Sequence, residues 1–205
     1  MAESLDFDER SPLRGLASPV GPTPPGVVVR EMSGLALAVV TSRKSRTAEL
    51  AARLDDRFGV VLVDGPRCAG AKGIAFLGVA PSRWLMVADS ADSEFVERLS
   101  ATLTDVAGVV DQSGGLVVIR LSGPRVLSAF EKGLAIDLDP SSFPVGAVAV
   151  TSVAQIGVTL WAAPGVEPLA SPVYMLAVGR SFAASFWGWL SEAAAEFGLG
   201  LDTPG

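Results

Sequence analysis

The sequence predicts an α+β protein made of two pseudo-repeated units, each running strand, helix, strands, helix, with the helices packed on largely antiparallel sheets. Two observations carry this expectation. Short apolar runs rich in Val, Ala and Leu alternate with segments whose apolar residues recur at steps of three and four, so strand and helix periods interleave along the chain. The order of these stretches in residues 27–110 is then met again in residues 111–205.

Residues 1–26 precede both units as an extended, proline-rich arm. The stretch PVGPTPPG (19–26) excludes helix and central strand, because proline fixes its own backbone and biases the residue before it toward extended conformations. Such an arm is either a frayed terminus or a docked one. Pro12, Leu13, Leu16 and Val20 give it apolar side chains to lay along a partner or along its own globule.

In the first unit, LALAVVT (35–41) reads as a strand. SRKSRTAELAARLDDRFG (42–59) carries Ala48, Leu50, Ala51, Leu54 and Phe58 at helical spacing, with Ser42 as cap and Gly59 as stop. VVLVDG (60–65) reads as a short buried strand, and IAFLGVA (74–80) and RWLMVAD (83–89) as strands around the turn residues Pro81 and Ser82. Residues 90–106 read as a helix: Ser90 precedes Phe95, Val96, Leu99 and Leu103, and Asp92 and Glu94 favour its positive N-terminal dipole.

The second unit opens on the strand GLVVIRLSG (115–123). PRVLSAFEKGL (124–134) starts a helix with proline in its first turn, where a missing donor costs nothing. GAVAVTSV (146–153), IGVTLWAA (156–163) and PVYMLAVG (172–179) read as strands, and RSFAASFWGWLSEAAAEFG (180–198) as the closing helix. A helical projection places Phe182, Phe186, Trp189, Leu190, Ala193 and Phe197 on one core face. Trp187 falls at the border of that face beside Ala194, either as the edge of the core or as an anchor for another protein.

Composition excludes much chemistry. There is no histidine, so a Ser-His-Asp triad, a Cys-His dyad and a histidyl-flavin bond are all impossible. A single cysteine, Cys68, permits neither an intramolecular disulfide nor a multi-thiolate zinc site. A net charge of −6 argues against nucleic acid, and the one basic cluster, Arg43, Lys44 and Arg46, suits the solvated start of a helix. The acidic first ten residues do not look like a secretory signal, and the longest apolar region, 146–166, is broken by polar residues and Pro164, so a cytoplasmic protein that spans no membrane is expected. Its apolar content exceeds what one soluble globule requires, as expected if part of the surface is covered by another chain.

Few catalytic candidates survive. GPRCAGAKG (65–73) has the glycines, Arg67 and Lys72 of a phosphate-cradling loop without the spacing of one, and reads as a loop between strands. Cys68 lies there beside two cations that would lower a thiol pKa, yet no histidine or second cysteine exists to use it. Asp55 and Asp56 fall on the polar side of a helix. Asp137 and Asp139, in AIDLDPSSFPVG, sit at strand spacing on one side of an extended segment before a proline turn, where turn chemistry is the plain reading.

GVVDQSGGLVVIRLSGPRVLSAFEKGLAIDLDP (108–140) resembles the glycine-cleavage T-protein family, with a D-x-S ahead of a strand ending in Gly-Pro, then a helix, then a Leu-x-x-x-Asp-like segment. ERSPLRGLA (9–17), IRLSGPR (119–125), SSFPVGAVAVT (141–151) and the closing helix, in that order, more closely resemble the gamma subunit of heterotetrameric sarcosine oxidase over nearly the whole chain. The resemblance implies a T-protein-like fold and a structural, non-catalytic subunit. The family's complex oxidises sarcosine to glycine with flavin, passes the carbon to tetrahydrofolate and reduces oxygen to hydrogen peroxide. It further implies alpha, beta and delta subunits as partners, the alpha-like one in direct contact, with FAD, FMN, NAD, zinc and tetrahydrofolate held by those partners and no cofactor or metal bound by this chain. Pro12, Leu13, Leu16 and Trp187 are the contact residues expected on this reading. The alternatives are a folate-binding or aminomethyltransferase-like protein, with Asp137 matching the acid that T-proteins place near the pterin, a gamma-like subunit for another N-methyl amino acid, or a free-standing binding module.

Overall fold

Alternating burial along the strands sorts the chain into layers. The computed structural model describes residues 11–13, 17–90, 92–164 and 173–202. In chain order the elements are β1 (Val27–Met32), β2 (Leu35–Ser42), α1 (Thr47–Phe58), β3 (Cys68–Ala71), β4 (Ile74–Ala80), β5 (Arg83–Asp89), α2 (Phe95–Leu103) and β6 (Ala107–Asp111). They continue with β7 (Leu116–Ser122), α3 (Val126–Phe130), β8 (Val148–Val153), β9 (Ile156–Ala163), β10 (Val173–Gly179), a 3₁₀ turn (Arg180–Phe182), α4 (Ala183–Ala194) and β11 (Leu199–Leu201).

On β2, Ala36, Ala38 and Val40 point toward α1 and α2, where Leu50, Leu54, Leu99 and Leu103 meet them, while Leu37 points the other way. On β10 the same alternation sends Tyr174, Leu176 and Val178 toward α3 and α4 and Ala177 to the opposite side. Leu37, Leu77 and Leu85 then meet Val118, Val148, Trp161 and Ala177 between the two sheets. The result is helices, sheet, sheet, helices, with three apolar interfaces. Each fully buried large side chain, such as Phe76 or Phe186, contributes about 1.5–3 kcal/mol.

The pseudo-repeat is visible in the strand orders. The five-stranded sheet runs β3-β4-β5-β2-β6 and the six-stranded one β8-β9-β10-β7-β1-β11. Position for position these are the same sheet, except that β1 is inserted between β7 and the last strand. β1 is antiparallel to β7 and parallel to β11, so β11 keeps the direction that β6 has relative to β2. The first strand after the arm therefore lies in the sheet otherwise built from residues 111–205. The two sheets are tied at one edge, where the Cys68 N–H donates to the Gly146 carbonyl (2.8 Å) and the Val148 N–H to the Pro66 carbonyl (3.0 Å).

Several local expectations are corrected. VVLVDG forms no strand: Val61 is exposed, and the segment runs outside the sheet from α1 to the seam. The loop expected at 65–73 contains β3, whose small residues pair with β4. Ser42 does not cap α1, which starts after Arg46 without a side-chain cap; the Ser42 hydroxyl instead donates to the Arg43 carbonyl. Gly59 does stop that helix, in the left-handed region with φ of 69°. α3 is only five residues long, because Lys132 and Gly133 already lie in turns that lead into a long connection to β8. No helix among the described residues is long and apolar enough to cross a membrane.

Candidate functional site

The described residues contain no cluster of three or more Cys, Asp or Glu able to hold a metal ion. Cys68, on β3, is partly buried against the inter-sheet layer, and that burial pushes its thiol pKa up despite the neighbouring cations. A raised pKa leaves less thiolate at neutral pH, so this is a poor nucleophile.

The acidic pair is resolved into a turn. Asp137 is exposed, and its Oδ1 accepts the Asp139 N–H at 2.8 Å. The Asp139 carboxylate accepts the Ser141 hydroxyl (2.6 Å) and the Ser141 N–H (2.9 Å), which hold its pKa below the usual carboxylate range. Between the acids, Leu138 is buried, and its carbonyl accepts the Tyr174 hydroxyl at 2.8 Å. A shallow depression of about 250 Å³ opens beside the turn, with Leu127, Phe130, Leu134 and Ile136 on its other walls. Asp137 stands at its rim, exposed to solvent.

The arm is seated on the chain's own second unit. Leu13 is 4 % exposed and, with Ala17 and Val20, packs into the core under α3 and α4. Pro12 is half-buried and Leu16 lies outside the described residues. Val20 exchanges hydrogen bonds with Leu199 (3.0 and 2.7 Å), and the Gly26 N–H donates to the Phe197 carbonyl (2.8 Å). The arm approaches the α4–β11 turn so closely that a Cβ on Gly198 would stand 2.1 Å from the Pro22 carbonyl oxygen. With φ of +80° as well, Gly198 is required twice, by conformation and by space.

The closing helix keeps most of its projected face: Phe186, Leu190 and Ala193 are buried, and Trp189 and Phe197 pack partly buried against the same core. Its buried stripe is Ala183, Phe186, Trp187, Leu190, Ala193 and Ala194, whereas Trp189 is partly exposed and Phe182 is 55 % exposed. Trp187 is core, at 6 % exposure. The projection erred because it ran helical geometry back through Phe182, which sits in the 3₁₀ turn before α4 and therefore off the helical face.

Apolar surface remains elsewhere, at positions missed in the sequence. Val61, Val63, Val145 and Val150 are exposed, and the last lines a groove of about 330 Å³ at the seam, walled by Gly65, Pro66, Val79, Ala80 and Pro81. The β8 edge strand that carries Val150 has neither a charge nor a proline to blunt it. The available signal was the valine spacing of AVAVTSV: read with period two, it leaves Val150 on the same side as Val148 but past the end of the cover.

What the described surface offers at the seam is uncovered apolar area. A family model described as "Sarcosine oxidase, gamma subunit family" matches residues 48–196. The sarcosine oxidase subunit gamma of Arthrobacter sp. is 31 % identical over 156 residues, 74 % of this chain and 76 % of that one. That of Corynebacterium sp. (strain P-1) is 31 % identical over 127 residues, covering 62 % and 59 %. Among solved structures, a chain of the heterotetrameric sarcosine oxidase from Corynebacterium sp. U-96, solved with pyrrole 2-carboxylate, superposes with a TM-score of 0.75 at 27 % identity, covering 92 % of this chain and 95 % of that one. The glycine cleavage system aminomethyltransferase T from Bartonella henselae shares the fold, with a TM-score of 0.62 at 11 % identity over 86 % of this chain and 48 % of that one.

Proposed function

The chain belongs to the sarcosine oxidase gamma subunit family, and from that premise we propose that it is the structural, non-catalytic subunit of a flavin-dependent heterotetrameric sarcosine oxidase. The assembled enzyme takes sarcosine and oxygen to glycine and hydrogen peroxide, with the N-methyl carbon transferred at the formaldehyde level to tetrahydrofolate. In this reading FAD, FMN, NAD, zinc and tetrahydrofolate belong to alpha, beta and delta subunits, and the complex is cytoplasmic. The observation that carries the reading is the whole-length superposition on a chain of such a heterotetramer. The absence of histidine fits it, since a histidyl-flavin link has no attachment point here.

Contact with the alpha-like subunit is assigned to the apolar positions the fold leaves uncovered, Val150 with its groove and Phe182, together with the outer side of the arm at Pro12. Leu13 and Trp187 act in that contact by shaping the arm and α4 from beneath, because their own surface is spent inside the chain. A separate folate-binding role gains nothing from the exposed Asp137. Mild affinity purification of the tagged chain from its native cells tests the assignment. A yellow eluate with two large partners and a small one is expected; a colourless chain eluting alone overturns it.

A further inference from the structure

Arg30 and Arg120 stand directly opposite each other on β1 and β7. Strand alternation puts both on the side of the six-stranded sheet that faces the inter-sheet layer, at its rim, where Arg120 lies beside Met175 of β10 and their side chains are 38 % and 22 % exposed. Like charges directly opposed across a ladder are destabilising. Their shared ion-pair partner, Asp202, is 3.6 Å from Arg30 and 3.8 Å from Arg120, too far for a hydrogen bond to either. Arg120 gives one long hydrogen bond, 3.3 Å, to the Ser122 hydroxyl. Glu31, next in sequence, alternates to the opposite side of the strand and takes the Ser11 hydroxyl there. Among the described residues, two guanidiniums against one carboxylate leave one positive charge and much unused forked donor capacity, concentrated on a chain whose net charge is −6.

We infer that Arg30 and Arg120 are the docking point for an Asp or Glu side chain of another subunit of the complex. This rests on the subunit reading and adds the chemistry of the contact. The planar fork of arginine suits bidentate capture of a carboxylate, and arginine is enriched at protein interfaces. A free small anion fits less well, because the two side chains stand at the rim of the sheet, 38 % and 22 % exposed, and small ligands are held in concave sites. Met175 and Met32 beside the pair provide the apolar surround that strengthens a buried charge pair.

The test uses the complete co-expressed complex, with Arg30→Glu/Arg120→Glu and Asp202→Asn compared with the unaltered chain. The double reversal is expected to weaken retention of the partner subunits at least about tenfold and to flatten its salt dependence. Asp202→Asn, which frees both arginines, is expected to hold or tighten assembly. If the cluster only clamps β11 to its neighbours, both variants weaken assembly in parallel with a loss of thermal stability in the isolated chain, and the inference fails. It also fails if the double reversal assembles normally. A wild-type chain that retains no subunit at all overturns the subunit reading and the docking point with it, an outcome distinct from loss in the variant alone.

Discussion

Trp84 and Tyr174 hold equivalent places in the two units, and the contrast between them shows which part of the repeat is constrained. Each is the second residue of its strand, β5 or β10, and each is fully buried. Each also donates at 2.8 Å to a backbone carbonyl in the segment that follows the unit's first helix: the Trp84 indole to Val63, the Tyr174 hydroxyl to Leu138. The segments so anchored are unlike. After the twelve-residue α1 the chain passes quickly to β3, whereas after the five-residue α3 it wanders through the Asp137–Asp139 turn before reaching β8. An aromatic ring with one polar edge can fill a core and still satisfy a passing carbonyl. The anchor is therefore kept while the loop above it varies in length, fold and charge.

The largest effect is expected from removing the bulkier anchor. Trp84→Ala is expected to cost about 3–5 kcal/mol by urea unfolding, through lost burial and an unpaired Val63 carbonyl; a loss below about 1 kcal/mol would show that the ring is not an anchor. Next comes the arm, which only the second unit carries. Gly198→Ala should cost about 2–3 kcal/mol and make residues 17–26 cleavable by protease, since the added methyl meets the Pro22 carbonyl and the backbone is left-handed.

Tyr174→Phe keeps the ring and deletes only the hydrogen bond, so about 1–2 kcal/mol is expected. Here the two anchors differ in kind, because a phenol titrates and an indole does not. Burial, with Asp139 and Asp137 adding to it, pushes the Tyr174 pKa up to about 12 from 10.0. The folded value lies above the unfolded one, so the neutral phenol's stabilisation is complete below pH 10 and is lost as pH rises toward 12. Alkaline unfolding of the wild type should show this limb, and Tyr174→Phe should lack it. The smallest effect is expected at the surface of the first unit, where the Arg53 guanidinium bonds to Asp105 and depresses its pKa. That contribution is present above the usual carboxylate range and lost as pH falls through the lowered value, so Asp105→Asn should lower stability slightly at neutral pH and converge with the wild type at the acid end of the curve.

Elements that carry their own periodicity were legible in the sequence. β4, β5 and β9 occupy the residues their alternation marks, and Gly59 ends α1 where a left-handed stop is needed. β1, β6 and β11 were not legible, because their pairing is decided elsewhere: VVVREM becomes a strand between β7 and β11, neither of which is near it in sequence. The arm's apolar residues announced that something would be covered, and Leu13 shows that the cover is the chain itself. The Arg30–Arg120 pair was invisible for the same reason as β1, since only the register brings the two together.

That register also sets a timetable for biosynthesis. Val27–Met32 leaves the ribosome before everything it hydrogen-bonds, with β7 about 90 residues behind it and β11 about 170. At about 5–20 residues per second the later strand arrives roughly 10–30 s after the first. During that interval the five-stranded sheet can close, because all its strands lie between Leu35 and Asp111, while β1 waits with both edges unpaired until β7 emerges and with one edge open until β11 does. A nascent chain from which residue 111 but not residue 116 has emerged is expected to protect the first unit from protease and to leave residues 27–32 open to cleavage.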